Sequence, residues 1–369
     1  MGDNPAPALK TSALYESQKQ LGARFAEGLG GLTAASYGDL IQEYNAVRIA
    51  AGLLDLSAGG AIKIGGKEAI QFLNGLVTNN VKTLESGHGI RAAFLTGHGK
   101  VKALCRILGL GDEFLVLTDP QTHQKVLSYI TPFTFAGDFR VEDVSVHHRP
   151  LSVQGPKALQ VMKEVCFEPV PALGDHDWIE TIIAGQSIIV LAASHTGDDG
   201  FDILVPEAGL EDVWDFLLMK GAFHSIKPCG SEALNILRIE AGIPIYGIDI
   251  DETNMMLETG LVDAVSYNKG CYTGQEAVAM ATYRGHVSKK LCGLTIPADS
   301  KVASGDKISK PTKEIGYVTS VANSPALHAT IALGYVKYGH FDAGTDVEIL
   351  TLAGPAPATI VDLPFYKRQ

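Results

Sequence analysis

Apolar residues recur in two rhythms along this chain, and the rhythm changes near residue 287. Before that point helical and strand spacings are mixed. Leu40, Ile41, Tyr44, Val47, Ile49 and Ala50 repeat at helical spacing behind Asp39, whose carboxylate can accept from the free N–H groups of a first turn, and Gly52 stops the run. A strand over 61–64 turns at Gly65-Gly66 into a helix with Ala69, Ile70, Phe72, Leu73 and Leu76 on one side. Residues 91–118 read as three consecutive strands divided by Gly97-His98-Gly99 and by Gly109-Leu110-Gly111-Asp112, and a helix over 122–130 follows Pro120. A second unit repeats this order: a strand at 151–153, a helix over 157–165, strands at 178–183, 187–193 and 200–205, then helices over 210–218 and 232–241, the last capped by Ser231. Residues 1–36 are patterned more loosely, with one helix expected around 14–27.

Strands and helices alternate without a strict β-α-β order, which predicts an α+β protein of two units with antiparallel sheets. From 289 to 364 short strands follow one another between Gly, Pro and Asn, with no helical stretch, which predicts a small C-terminal β-barrel or sandwich. The expected division is 1–286 and 287–369. A chain of 369 residues is also too long for one core.

Composition narrows the function. A formal net charge of −11 opposes sequence-independent nucleic-acid binding, which needs many Lys and Arg contacts to phosphate. The five cysteines (Cys105, Cys166, Cys229, Cys271, Cys292) are odd in number and scattered, neither a disulfide framework nor a metal-ligand pattern, so a reducing compartment and no metal are expected. The first thirty residues hold Glu16, Arg24 and Glu27 and no apolar leader segment. The long uncharged run at 315–336 is broken by Asn323-Ser324-Pro325 and His328 and reads as a β-hairpin rather than a membrane span. The expectation is a soluble, cytoplasmic protein.

Three segments carry candidate chemistry. Lys269-Gly270-Cys271-Tyr272-Thr273-Gly274-Gln275-Glu276 places a thiol just before a helix expected over 274–283, where the helix dipole and Lys269 favour thiolate; a structural cysteine is the alternative. Ser194-His195-Thr196-Gly197-Asp198-Asp199-Gly200-Phe201-Asp202 is an acidic turn entering a strand, and Asp202 needs a partner if it is buried there. Arg238 falls beside Leu234, Leu237 and Ala241 on a helix, either as a structural ion pair or as an anion clamp.

The run from Arg238 to Gly247 and the turn from His195 to Asp202 resemble the aminomethyltransferase (glycine cleavage T-protein) superfamily, and the eight residues from Lys269 to Glu276 resemble its YgfZ branch. Phe72 to Asn80 is similar to the family's first-domain segment. The resemblance implies a three-domain clover-like fold with tetrahydrofolate in a central opening. It implies that Asp202 and Arg238 hold the pterin, with His195 at the position of the family's tyrosine and Cys271 as the candidate catalytic group nearby. A carboxylate suits the pterin because it accepts two parallel N–H bonds from the amino-pyrimidinone edge. Where the transferase has Gly-Gly-Ile-x-Asp-Asp, this chain has Gly99-Lys100-Val101-Lys102-Ala103-Leu104, with no acid to manage the proton. Ser57-Ala58-Gly59-Gly60 likewise departs from the family's Ser-His-Met-Gly.

The leading expectation is therefore a YgfZ-type folate-binding accessory protein for iron–sulfur cluster assembly or repair, with folate and iron–sulfur proteins as partners. The alternatives are a folate-dependent one-carbon transferase (aminomethyltransferase or demethylase) and a non-enzymatic interaction protein on the same scaffold.

Overall fold

Two sheets pack inner face to inner face at the centre of the computed structural model, which describes residues 10–368 apart from 136, 284, 299 and 312. The first is five-stranded and antiparallel, in the order Gly89–Leu95, Val101–Gly109, Glu113–Thr118, Gly60–Gly65, Arg140–Asp143. Helices Ala69–Leu76 and His123–Ile130 cover its outer face, burying Leu73, Val126 and Ile130 against Phe94, Ile107 and Val116. The second is six-stranded, in the order Trp178–Ile183, Gln186–Ala192, Gly200–Val205, Arg149–Gln154, Ala51–Asp55, Ile226–Pro228, with only the last pair parallel. Helices Ala158–Val165 and Leu210–Gly221 cover it, with Val161 and the fully buried Trp214 facing Ile203 and Val205. Between the sheets, Ala61, Leu108 and Leu115 meet Trp178, Ile189, Leu191 and Leu204.

Residues 289–361 close into a six-stranded barrel. The uncharged run at 315–336 lies in two of its strands, Lys313–Ser324 and Ala329–Lys337, paired antiparallel. No helix among the described residues is long and apolar enough to cross a membrane. The barrel rests on helices Leu40–Ile49 and Ser231–Glu240, where Tyr44, Val47, Ile236 and Leu237 meet Leu291, Ile331, Leu333 and Tyr335.

The expected α+β sheets and barrel are present, and several local expectations change. The helix expected around 14–27 spans only Tyr15–Gln20; Gly22, at φ +83°, breaks it, and a hairpin of Arg24–Gly28 with Gly31–Ser36 follows. Gly230, not Ser231, occupies the cap position of Ser231–Glu240, and its N–H donates to Glu43 Oε2 at 2.7 Å. Strand Ala51–Asp55 was hidden behind the helix that ends at Ile49, because its partners lie near residues 153 and 227 in sequence. Asp39 does cap its helix, accepting from the N–H groups of Ile41 and Gln42.

Buried charge joins the barrel, the helices and the second sheet. The Arg48 guanidinium lies between Glu240 and Asp198, at 2.5 Å from the latter, and all three side chains are almost fully buried. Glu240 also accepts from the Tyr44 hydroxyl at 2.9 Å and from Ser324 of the barrel. Replacing one member strands a buried charge, so Glu240→Ala is expected to lower the unfolding free energy by about 3–5 kcal/mol. Urea melts compare it with the parent, and a loss under about 1 kcal/mol would show that the triad does not hold the units together.

Candidate functional site

Strand Gly200–Val205 alternates across the second sheet. Phe201, Ile203 and Val205 enter the helix-covered core, which leaves Asp202 and Leu204 on the face toward the first sheet. Asp202 is 3% exposed, so its charge requires partners, and it has three. Oδ1 accepts from Ser152 Oγ at 2.7 Å, Oδ2 from Arg106 Nη1 at 2.8 Å, and His195 Nε2 reaches both oxygens at 2.9 and 3.0 Å. Ser152 stands directly opposite Asp202 on the neighbouring strand. Gln154 braces the group, donating to Ser152 Oγ and accepting from the His195 backbone N–H at 2.8 Å. Burial alone would push the Asp202 carboxyl up, but His195, Arg106 and Ser152 together hold it below the usual carboxylate range.

Arg106 comes from the first sheet, on Val101–Gly109, where Ala103, Cys105 and Ile107 enter the outer core and Arg106 takes the opposite face. Only its Nη1 hydrogen-bonds among the described residues. Arg91 stands directly opposite on Gly89–Leu95 and meets Asp263 at 3.2 Å. The next strand pairs Thr118 with Cys105 and ends there, with Asp119 one residue beyond it. Asp119 lies deep in the molecule with part of its surface still open, and its carboxylate makes no hydrogen bond among the described residues. Burial raises its pKa, with the Arg106 and His195 charges pulling the other way.

The structure brings Asp202 and His195 together and places Arg238 elsewhere. Arg238 donates from Nε and Nη2 to Asn235 Oδ1, from Nη1 to Asp249 Oδ2 at 2.6 Å and Ile243 O at 3.3 Å, and from Nη2 to Ser320 Oγ at 2.6 Å. Asp249 in turn accepts from Ser320 and Thr319 of the barrel. All five guanidinium hydrogens have acceptors, so Arg238 in this conformation is an interdomain clamp with no donor left for a ligand.

The Cys271 segment docks on the first sheet's turns. Its helix starts at Gln275, so Cys271 lies outside the first turn, exposed, while Tyr272 is buried. The Lys269 ammonium donates to the carbonyls of Asn74, Val77 and Asn79 at 2.6–2.7 Å, closing the end of helix Ala69–Leu76 rather than serving the thiol. Gly274 has φ +82°, and a Cβ there would come within 2.6 Å of Thr96 O, so the close approach to that turn requires glycine. Thr273 N–H donates to Gly75 O at 3.0 Å. Gly270 and Glu276 are exposed. Lys100 donates to Thr253 O and Lys102 lies 3.5 Å over the Tyr129 ring, so neither lysine replaces an acid at the centre. No group of three or more His, Cys, Asp or Glu among the described residues is placed to hold a metal.

Arg106, Ser152, Gln154, Arg91 and Asp119 escaped sequence reasoning. The available signal was an arginine at alternate spacing within an apolar strand, which has to find a carboxylate once both sheet faces are covered.

Two packed sheets, one antiparallel and one with a single parallel pair, meeting at a buried carboxylate with a closed barrel behind them, define the class of protein. Residues 14–269 match the GCVT N-terminal domain and residues 289–367 the glycine cleavage T-protein C-terminal barrel domain, so the chain belongs to the glycine cleavage T-protein family. Among relatives, the aminomethyltransferase of Moorella thermoacetica is 31% identical over 363 residues, 98% of each chain. That of Rubrobacter xylanophilus is 32% identical over 98% of this chain and 95% of its own. That of Caldanaerobacter subterraneus is 30% identical over 98% and 97%. The glycine cleavage system aminomethyltransferase T of Bartonella henselae, a crystal structure, superposes with a TM-score of 0.90 at 24% identity over 98% of this chain and 99% of its own, which establishes the shared fold.

The depressed Asp202 pKa has a pH signature. Its stabilising contribution is complete above the unfolded value near pH ~3.9 and is lost as pH falls through the lower folded value. Asp202→Asn is expected to cost about 1–3 kcal/mol at pH 7, with the gap closing below pH ~4. Urea melts of both proteins from pH 3 to 7 check this, and a gap that stays constant with pH would contradict it.

Proposed function

We propose that the chain is a folate-dependent one-carbon transferase, moving a one-carbon unit from an amine-type donor onto tetrahydrofolate. The observation that carries this is the 30–32% identity to aminomethyltransferases across 98% of the chain, both family domains included. The buried centre is chemically suited to the acceptor. Asp202 offers a charged carboxylate to the amino-pyrimidinone edge, and His195, which alone among the described residues bridges both oxygens, is the donor whose withdrawal would free them. Arg106 and Ser152 would keep the carboxylate charged and oriented meanwhile. Titration calorimetry with tetrahydrofolate is expected to give saturable micromolar binding, weakened at least about tenfold by Asp202→Ala, the scale of a charge-assisted hydrogen bond. No saturation at high micromolar ligand would end the proposal, and methylene-tetrahydrofolate formed from an amine donor would establish turnover.

A second reading, the YgfZ-type accessory role in iron–sulfur cluster assembly or repair, is favoured by one observation. Cys271 is the exposed cysteine of the five, whereas Cys105, Cys229 and Cys292 are buried and Cys166 is half-buried. In that role Cys271→Ser retains fold and folate affinity but fails to restore iron–sulfur enzyme activity in a deletion strain. Full restoration by Cys271→Ser would remove this reading.

A further inference from the structure

Two carboxylates face the same pair of basic groups at the centre of this molecule, in opposite conditions. Asp202 is saturated, accepting from Ser152, His195 and Arg106. Asp119, across the sheet interface at the end of Glu113–Thr118, feels the Arg106 and His195 charges but hydrogen-bonds to neither. Its backbone is held firmly: Asp119 O accepts from the N–H groups of Thr122 and His123 at 3.0 Å, and Gln121 donates to Tyr246 O. A fixed backbone, a free carboxylate and an open part of the surface describe a group placed to exchange a proton with a ligand. The positions where the T-protein resemblance leads one to expect acids hold Ala103 and Leu104, and the neighbouring Lys100 and Lys102 are both engaged outside the centre.

We infer that Asp119 is the proton-transfer group of this site, standing in for the acid absent from the Gly99–Leu104 segment. The inference rests on the folate-transferase reading and adds the residue that handles its proton. As the acceptor amine attacks, its nitrogen lone pair forms the new N–C bond to the one-carbon unit. The bond from that carbon to its former carrier breaks, and its electron pair stays on the carrier atom. Asp119 takes the N–H proton and delivers it to that carrier atom, so no oxidant or reductant is consumed. Asp202 is kept charged by its three donors and Asp119 is driven toward protonation by burial, the divergence expected of a holding carboxylate beside a proton-exchanging one. The charged and titratable groups acting on Asp119 are Arg106 and His195, with the buried Cys105 thiol behind it on the adjacent strand.

The test is calorimetric titration of the full chain with tetrahydrofolate in phosphate and in Tris, whose ionisation enthalpies differ, between pH 5 and 8. The parent is expected to exchange protons on binding, to an extent that varies with pH. Asp119→Asn is expected to bind within about threefold of the parent and to lose that proton exchange, and Asp119→Glu to regain part of it. In turnover, Asp119→Asn is expected to lower kcat about 10²-fold or more with little change in KM and to remove the acid limb of the pH profile. Binding by Asp119→Asn with parental proton exchange, or an unchanged pH profile, would overturn the inference while leaving the folate reading intact. A parent that does not bind tetrahydrofolate at all would overturn the folate reading, and the inference with it.

Discussion

A guanidinium cannot leave water without acceptors for its five hydrogens, and three buried or half-buried arginines turn that constraint into the architecture of this protein. Arg48 joins the first long helix to Glu240 and to Asp198 of the turn before Gly200–Val205. Arg238 joins the helix that carries Glu240 to Asp249 and to Ser320 of the barrel. Arg106 joins the first sheet to Asp202 of the second. Apolar burial supplies most of the driving force at these contacts, but it is indifferent to small slips. The ion pairs are directional, and they fix which residues meet.

The three arginines differ in what they leave over. Arg48 and Arg238 are enclosed by acceptors, the second through all five hydrogens, and their carboxylates are shared with Tyr44, Thr319, Ser320 and Ser324. Among the described residues Arg238 keeps no hydrogen for a ligand and Arg48 keeps a single one, on Nη2. Arg106 gives one hydrogen to Asp202, and among the described residues the Asp119 carboxylate nearby has no donor. Unsatisfied capacity concentrated where two sheets meet is what separates a site from a clamp. Arg91 faces Arg106 across the strands, and the nearby Asp263 outweighs that repulsion, while burial still lowers the Arg91 pKa.

The same distinction applies to the motif that is most conspicuous in the linear sequence. In the segment from Lys269 to Glu276 most of the polar and glycine character serves docking. Lys269 closes a helix end, Gly274 permits close approach to Thr96, and Tyr272 is buried with Val101 and Met256. Cys271 is left exposed by this arrangement, ahead of the first turn of helix Gln275–Tyr283.

Much of the fold was legible from spacing alone. The capped helix behind Asp39, the three strands from 89 to 118, the strands and helices from 149 to 221 and the all-β end all follow from local periodicity and from Gly and Pro breaks, which act over a few residues. Resemblance of the turn from His195 to Asp202 to a known family named Asp202 as an expected pterin contact. Ala51–Asp55 and Ile226–Pro228 lay beyond reach, because each becomes a strand only through partners distant in the chain. The partner of Asp202 and the role of Arg238 were out of reach for the same reason. An isolated arginine among apolar residues reads equally as clamp or ligand. Only the tertiary structure surrounds Arg238 with acceptors and leaves Arg106 and Asp119 underfilled among the described residues, because their neighbours come from segments distant in the chain.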